Sequence, residues 1–519
     1  MSKKLALGAL VSLACVGGPG SSCAHAQDDT RVLDERAVVG LVSKDNPALK
    51  AALLDAESAR FGEVGLTNLY TPVVVLDASG TQTETPSLFA TGISMSRQRR
   101  GDVGAELRKH MLWGTDISLR VAGSVLWTKF TRPSLTLPTI PGMIATPTVG
   151  STGVGQLVSP TGEFGPGYGL LGKLTLKQPL LRGRGPDVAL ADLNVSRAER
   201  TASQHTRDRV ASEQLRDALN AYWELWYAVR MLDIQQRARE VAGKQRDDAR
   251  ARVDTGGLAP VEVFAFETQV ASRDEDVAAA EAEHRRAQLE LDRLLGVVGA
   301  VSGVGVADAE PPTMLIAPRS TLEERAMAES AELHERQAAV ELARVRQRTA
   351  TEPQRHRLDL DAYAQVQGLG NEQAKGALKQ VGQFEAVSAF VGLTYEAPIN
   401  SRALHAAAAR ARIDIEAAEQ ELVVTRQRIL TDLSKGLEQE LASERRVELA
   451  SQTVAIAEKQ LAAEQARFAT GAATSLQVLE AEDSVRSARL RMARAQADLV
   501  QAAVSLDHLT GQLVARFSR

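Results

Sequence analysis

Two stretches of this chain, 187–252 and 402–470, contain no proline, and the first contains no glycine except Gly243. Both read as unbroken helix. Leu215, Leu219, Tyr222, Trp226 and Val229 alternate spacings of four and three, the seam of a helix packed on another helix. Leu430, Leu433, Leu437 and Leu441 fall along one side of the second stretch. Helices of that length are ~100 Å long at 1.5 Å per residue. A compact domain has no use for such rods, so they must pack against one another. Alanine, glutamate, arginine and leucine dominate after residue 187, as long helices require. The 24% of charged residues alternate in sign, which makes solvated faces rather than a charged patch.

Each rod ends at a glycine, and the sequence around the two ends is repeated. Arg252–Gly296 aligns without a gap on Arg467–Gly511 at an offset of 215, with fifteen of 45 positions identical. The matches include Arg252/Arg467, Thr255-Gly256/Thr470-Gly471, Glu267/Glu482, Asp292/Asp507 and Gly296/Gly511. A unit of more than 200 residues is too long for a solenoid repeat. The chain therefore reads as two equivalent halves, 27–296 and 320–519, joined by a linker over 297–319. Each half runs helix, strands, long helix, glycine break, helix. The second helices of the two halves span about 261–295 and 475–513. Ala488, Ala495, Ala502 and Leu509 recur every seven residues, and small side chains at such a seam let helices approach closely.

The first 26 residues read as an export signal. Lys3 and Lys4 precede an apolar run, Leu5 to Val16, and Ala24-His25-Ala26 supplies a small-x-small cleavage site. Both cysteines, Cys15 and Cys23, lie inside this segment, and their surroundings argue against lipid anchoring. The mature chain is then free of cysteine, which excludes disulfides, thiol catalysis and zinc–thiolate sites. No later run of ~18 apolar residues could form a transmembrane helix. The net charge of −4 gives no electrostatic case for nucleic acid. The histidines form no HxxxH or HExxH pair, and the glycine runs lack the Lys-Ser/Thr of a phosphate loop. The sequence offers no catalytic residues, no metal site and no cofactor.

The remaining segments are extended. A strand is expected from Tyr70, a hairpin over 102–128 turning at Gly114, and further strands at 170–176, 357–367 and 385–396. Residues 131–168, rich in Pro, Gly, Thr and Ser, read as a long loop. These strands are too few to close a barrel within one chain. An open sheet in lipid would leave backbone groups unpaired, whereas closure between subunits satisfies them. Tyr70, Trp113 and Trp127 then become candidates for the aromatic belt at the membrane interface. The alternative is an exported periplasmic coiled-coil scaffold or adhesin with no pore.

Taken in order along the chain, the export signal, Asn46-Pro47, Gln178-Pro-Leu-Leu-Arg-Gly-Arg-Gly185, Ala221-Tyr222, and the paired turns Arg252-Val-Asp-Thr-Gly256 and Arg467-Phe-Ala-Thr-Gly471, each followed by a helix closing on Leu-x-Gly, resemble the TolC-type outer-membrane efflux proteins. The resemblance implies a fold that is mainly α with membrane β: long antiparallel coiled-coil helices forming an α-barrel tunnel, and a β-barrel shared by a homotrimer, about four strands per chain. It implies a channel in the outer membrane, extending into the periplasm and set in outer-membrane lipid. The implied partners are a periplasmic adaptor (membrane fusion) protein and an inner-membrane RND or ABC-type transporter. It assigns adaptor docking to the two turns, Asp254, Thr255, Gly256, Gly257 and Leu258 with Ala469, Thr470, Gly471 and Ala472. It assigns the periplasmic gate to Gln477 and Glu480. There the family carries two acidic residues; Glu480 keeps one charge and Gln477 has lost the other. Glu480 pairs with Ala265 in the first copy, so only one half carries that charge.

Overall fold

Asn46 decides how the chain begins. The computed structural model describes residues 31–89, 92–131, 161–257, 259–296, 304–306, 317–371, 373–399 and 401–517. A short strand, β1 (Arg31–Leu33), leads into α1 (Glu35–Asp45) and α2 (Pro47–Thr67). The helical stretch expected over 34–67, with a run starting at Asn46-Pro47, is two helices divided at Asn46. Asn46 is extended (φ −60°, ψ 122°), and its side chain accepts the Leu49 amide at 2.9 Å. Pro47 follows at the first helical position, where its missing N–H costs nothing.

The strands β2 (Val73–Phe89), β3 (Gly92–His110), β4 (Asp116–Thr131) and β5 (Thr161–Pro179) come next. One turn of helix, α3 (Pro186–Ala189), opens the long helix α4 (Ala191–Asp254), which is followed by α5 (Pro260–Leu295). Within the expected linker, β6 (Val304–Val306) pairs in parallel with β1. Then come α6 (Arg319–Glu329), α7 (Ala331–Thr351), β7 (Arg357–Asn371), α8 (Ala374–Gly382), β8 (Val387–Glu396), the second long helix α9 (Arg402–Ala469), α10 (Ser475–Leu509) and α11 (Gln512–Phe517). The export segment, Cys15 and Cys23 included, lies outside the described residues.

Among the described residues the main sheet is antiparallel and has six strands in the order β2-β3-β4-β5-β7-β8, one for each extended segment expected from the sequence. The hairpin over 102–128 lies within it as parts of β3 and β4. Its two strands stay in register from Met95↔Thr131 to His110↔Asp116, with Gly114 in the turn at φ 91°. The stretch expected as loop also shrinks. Residues 161–168 belong to β5 and pair with β4 across a register shift between Leu126 and Thr128. Residues 132–160 lie outside the described residues.

The chain divides into two bodies, each drawn from separate parts of the sequence. One draws on 46–216, 314–442 and 502–519 and holds the six-stranded sheet. Leu322, Ala326, Leu333, Ile429, Leu433 and Leu506 form a buried cluster there, with Leu437 at its margin. The expected stripe on α9 is therefore shifted: Ile429 and Leu433 carry the core, while Leu441 is 43% exposed. A straight helix has 3.6 residues per turn, so a stripe spaced by threes and fours drifts off a flat partner.

The other body draws on the described parts of 1–45, 217–313 and 443–501. Leu219, Tyr222, Trp223 and Trp226 of α4 are buried in it. The Tyr222 hydroxyl donates to the Leu33 carbonyl at 3.3 Å, and Trp223 Nε1 donates to Glu35 at 2.9 Å. Burial, reinforced by Glu35 and Asp34, pushes the Tyr222 hydroxyl up to about 12. The identities of the 215-residue repeat acquire a reason. Val263/Val478, Ala280/Ala495, Ala287/Ala502 and Leu291/Leu506 are buried in both copies.

Candidate functional site

Alternation along six paired strands gives the sheet two unlike faces. On one face the register aligns Val74 and Leu76 of β2, Val103, Ala105 and Leu107 of β3, and Ile117, Leu119 and Val121 of β4. It continues through Leu170, Leu174 and Leu176 of β5 to Leu358, Leu360 and Val366 of β7 and Val387, Val391 and Leu393 of β8. Many of these side chains are open to solvent in the single chain; Leu76 is 78% exposed and Val391 73%. The other face is polar. Arg120 meets Asp77 at 2.7 Å and Glu106 at 3.5 Å, and Arg108 meets Glu106 at 2.8 Å. Asp359 is held by Arg357 at 2.8 Å and Lys177 at 3.6 Å. Tyr363 and Phe390 stack at 5.2 Å on this face, with Lys173 over the Tyr363 ring.

The apolar face has the height of a bilayer core. It runs from Ile117 to Trp127 on β4, from Leu358 to Val366 on β7 and from Val387 to Tyr395 on β8. These spans of nine to eleven residues match the ~9–11 a tilted strand needs to cross the hydrocarbon. Aromatics mark both ends. Trp127 and Tyr168 stand at the end away from the helices. Tyr395, and Trp113 in the β3–β4 turn, stand at the end where α2, α3, α7 and α9 join the sheet. Trp113, Trp127 and Tyr395 are 55%, 47% and 60% exposed. Tyr70 is at the helix-side end too, but its ring packs on His110 and its hydroxyl donates to the Ala189 carbonyl at 2.7 Å. Sequence reasoning missed Tyr168 and Tyr395, because only the register places them at the edges of the band. Among the described residues no helix is long and apolar enough to cross a membrane.

The repeated turns have the same backbone. After α4, Gly256 takes φ 74°, its N–H donates to Val253 at 2.9 Å, and the Gly257 N–H donates to Arg252 at 2.8 Å. After α9, Gly471 takes φ 76°, its N–H donates to Phe468 at 3.1 Å, and the Ala472 N–H donates to Arg467 at 2.8 Å. Both are Schellman caps, in which a left-handed glycine returns the chain on the last carbonyls. Thr255 and Thr470 each donate a hydroxyl to the carbonyl three residues earlier, at 3.1 and 2.9 Å. Asp254, Thr255, Gly256, Gly257, Ala469, Thr470, Gly471 and Ala472 are all exposed; Leu258 lies outside the described residues. The Arg252 guanidinium stands 4.8 Å from the centre of the Phe468 ring, which brings the two turns together.

Gln477 and Glu480 differ in their surroundings. The Thr474 N–H donates to Gln477 Oε1 at 2.9 Å and the Gln477 N–H to Thr474 Oγ1 at 3.4 Å, the capping box that starts α10. Glu480 is exposed one turn further on. An ionic cluster around the buried Arg273, which the sequence did not reveal, follows directly. Arg273, only 8% exposed, bonds Asp276 at 2.7 Å and Asp483 at 2.9 Å, and Arg486 bonds Asp483 at 2.5 Å. Burial raises the Asp483 carboxyl, but Arg486 and Arg273 outweigh it and hold the group below its ordinary value. Beside them burial raises Glu482, which accepts from Gln245. Its repeat twin, Glu267, is instead a surface partner of Arg250 at 2.5 Å. Identity in the repeat signalled both glutamates and could not tell their environments apart.

The chain thus joins an apolar band of bilayer height, backed by a polar face, to long helices. Residues 322–512 match the family model described as outer membrane efflux protein. The fold is similar to the outer-membrane channel OprN, with a TM-score of 0.65 at 16% identity over 92% of this chain and 90% of that one. It is also similar to VceC of Vibrio cholerae, at 0.60 and 16% over 92% and 96%, and to CmeC of Campylobacter jejuni, at 0.63 and 11% over 96% and 94%. No curated protein matches the sequence.

Proposed function

We propose that the protein is the passive duct of a tripartite efflux pump or a type I secretion system, carrying solutes handed over by a periplasmic transporter complex to the outside. The observation that carries this reading is the open amphipathic sheet. Among the described residues β2 and β8 are each paired on one side only, and the face they border is apolar over the height of a bilayer. Unpaired strand edges cannot persist in lipid, so the edges meet those of further copies. The family resemblance implies three copies. Six strands from each of three copies make eighteen, and barrels of that size enclose an aqueous channel. The apolar face lines the lipid, and the face bearing Asp77, Arg120, Lys173 and Asp361 lines the water.

The two halves, 27–296 and 320–519, supply equivalent helix pairs to the tunnel. The adjacent turns at Gly256 and Gly471 are the docking site for the adaptor, and the inner-membrane transporter, RND or ABC-type, selects the solute. Glu480, repeated around the trimer, forms a ring of carboxylates at the entrance. A pore-less periplasmic scaffold has no use for an exposed apolar band nine to eleven residues tall, which would drive it to aggregate.

The test is electrical and biochemical. Purified protein in planar bilayers should give large, stable conductance steps from a species three chains in mass. Crosslinked membranes should yield an adaptor and a transporter bound to it. A soluble periplasmic rod without conductance would end the proposal.

A further inference from the structure

The apolar band ends abruptly at the side of the sheet away from the helices. On the same face, beyond Val103 and Gly101, β3 carries Arg99 and Arg97, and beyond Trp127 β4 carries Lys129. Each basic residue faces a cross-strand neighbour: Arg97 with Glu84 at 2.5 Å, Arg99 Nε with Gln82 Oε1 at 3.0 Å, and Lys129 with Glu163. A groove of about 710 Å³ lies between them, with Gly80, Gly101 and Trp127 in its lining. Arg99 bonds the Gln82 amide oxygen and stands close enough to Glu163 to act on its charge, and the Arg97 and Lys129 side chains are 49% and 50% exposed.

The helix α8 gives a second, independent observation. Gly368 and Gly370 continue the apolar face of β7, and a Cβ on them would stand 2.1 Å from the Ala377 carbonyl and 2.3 Å from that of Gln373. The helix therefore lies on the apolar face, near the level of Tyr168 and Val125. Its exposed side presents Lys375, Leu378 and Lys379. Short helices with a basic rim and an apolar body settle at the boundary between headgroups and acyl chains.

We infer that this rim binds the phosphates of a phosphorylated glycolipid in the outer leaflet. The inference rests on reading the apolar face as the lipid face. Arg97, Arg99 and Lys129 take the phosphate oxygens, the arginines with paired parallel N–H bonds. Trp127 and Leu378 lie along the first carbons of the acyl chains. Exposed ion pairs hold their partners weakly, so Glu84 and Glu163 keep the basic side chains in place without outcompeting a phosphate dianion. Glycines at positions 80 and 101 leave the groove open for the headgroup.

Full-length protein purified from outer membranes is mixed with bisphosphorylated lipid A or its dephosphorylated form, and bound lipid is counted by native mass spectrometry. The expected result is retention of the bisphosphorylated lipid, at least tenfold weaker in the variant Arg97→Ala/Arg99→Ala/Lys129→Ala. Arg97→Lys/Arg99→Lys should keep most of it, and Arg108→Ala, on the polar face of the same strand, should keep all of it. Should the triple variant fail to assemble, Arg99→Gln alone should lower retention. Conductance recorded on the same samples separates loss of lipid from loss of the duct. Equal retention by wild type and variants, equal retention of the dephosphorylated lipid, or displacement by inorganic phosphate at matched phosphorus would each overturn the inference.

Discussion

Four glycines hold the helix ends in the left-handed conformation: Gly256, Gly296, Gly471 and Gly511, at φ 73–76°. A side chain there costs about 1–2 kcal/mol in backbone strain alone. At Gly471 an added methyl meets nothing within 4 Å, whereas at Gly511 it would lie 2.1 Å from the Glu329 carbonyl. Gly471→Ala should therefore cost only the strain, and Gly511→Ala should cost about 1–3 kcal/mol more through overpacking. Thermal melting of the two variants decides it; equal losses would contradict the packing. Glu482 gives a pH test. Its folded carboxyl is raised above the ordinary 4.5 by burial, so the unfolded chain loses that proton first and stability falls as pH rises above 4.5. Glu482→Gln removes this loss, and its amide can donate to Gln245 Oε1, which has no partner among the described residues. The variant should melt higher at about pH 8 and show little advantage at about pH 4, while Glu267→Gln should show neither effect. Glu480→Ala should weaken the block of conductance by divalent cations. An unchanged block would remove Glu480 from the gate.

At the scale of elements, the face of a strand decides what a substitution does. Leu119 and Ser118 are neighbours on β4, one on the apolar face and one on the polar face. Arginine at 119 should cost about 2–4 kcal/mol where the strand crosses the middle of the bilayer, and arginine at 118 should be tolerated. Folding into detergent or liposomes, followed by gel shift, measures both; equal tolerance would contradict the assignment of faces. The same strands explain what the sequence could disclose. The rods were legible because helical periodicity persists over many turns, and the turns because glycine, threonine and arginine recur at fixed offset. The strand β3 was legible only from 102, since Arg97, Arg99 and Arg100 interrupt the alternation where the strand leaves the apolar band. The glycines of 162–169 looked like loop because composition cannot report that β4 pairs along this stretch and β7 joins it from Gly167 on. The Arg273–Asp483 cluster joins residues 210 apart, a distance at which no local pattern speaks.

At the scale of the molecule, a duct requires closure of the sheet between copies. Six strands with two free edges make a wall, and only the pairing of β2 of one protomer with β8 of the next makes a duct. The protein is well suited to test this, because its only two cysteines, Cys15 and Cys23, fall in the expected export segment. Single cysteines along β2 can be combined with one fixed cysteine on β8, for example at Ser388, and oxidised in isolated outer membranes. At one register, positions on a shared face should form disulfides between chains and give a covalent ladder that stops at three. If no β2 position crosslinks to β8 of another chain, the sheet does not close between copies, and the duct does not exist.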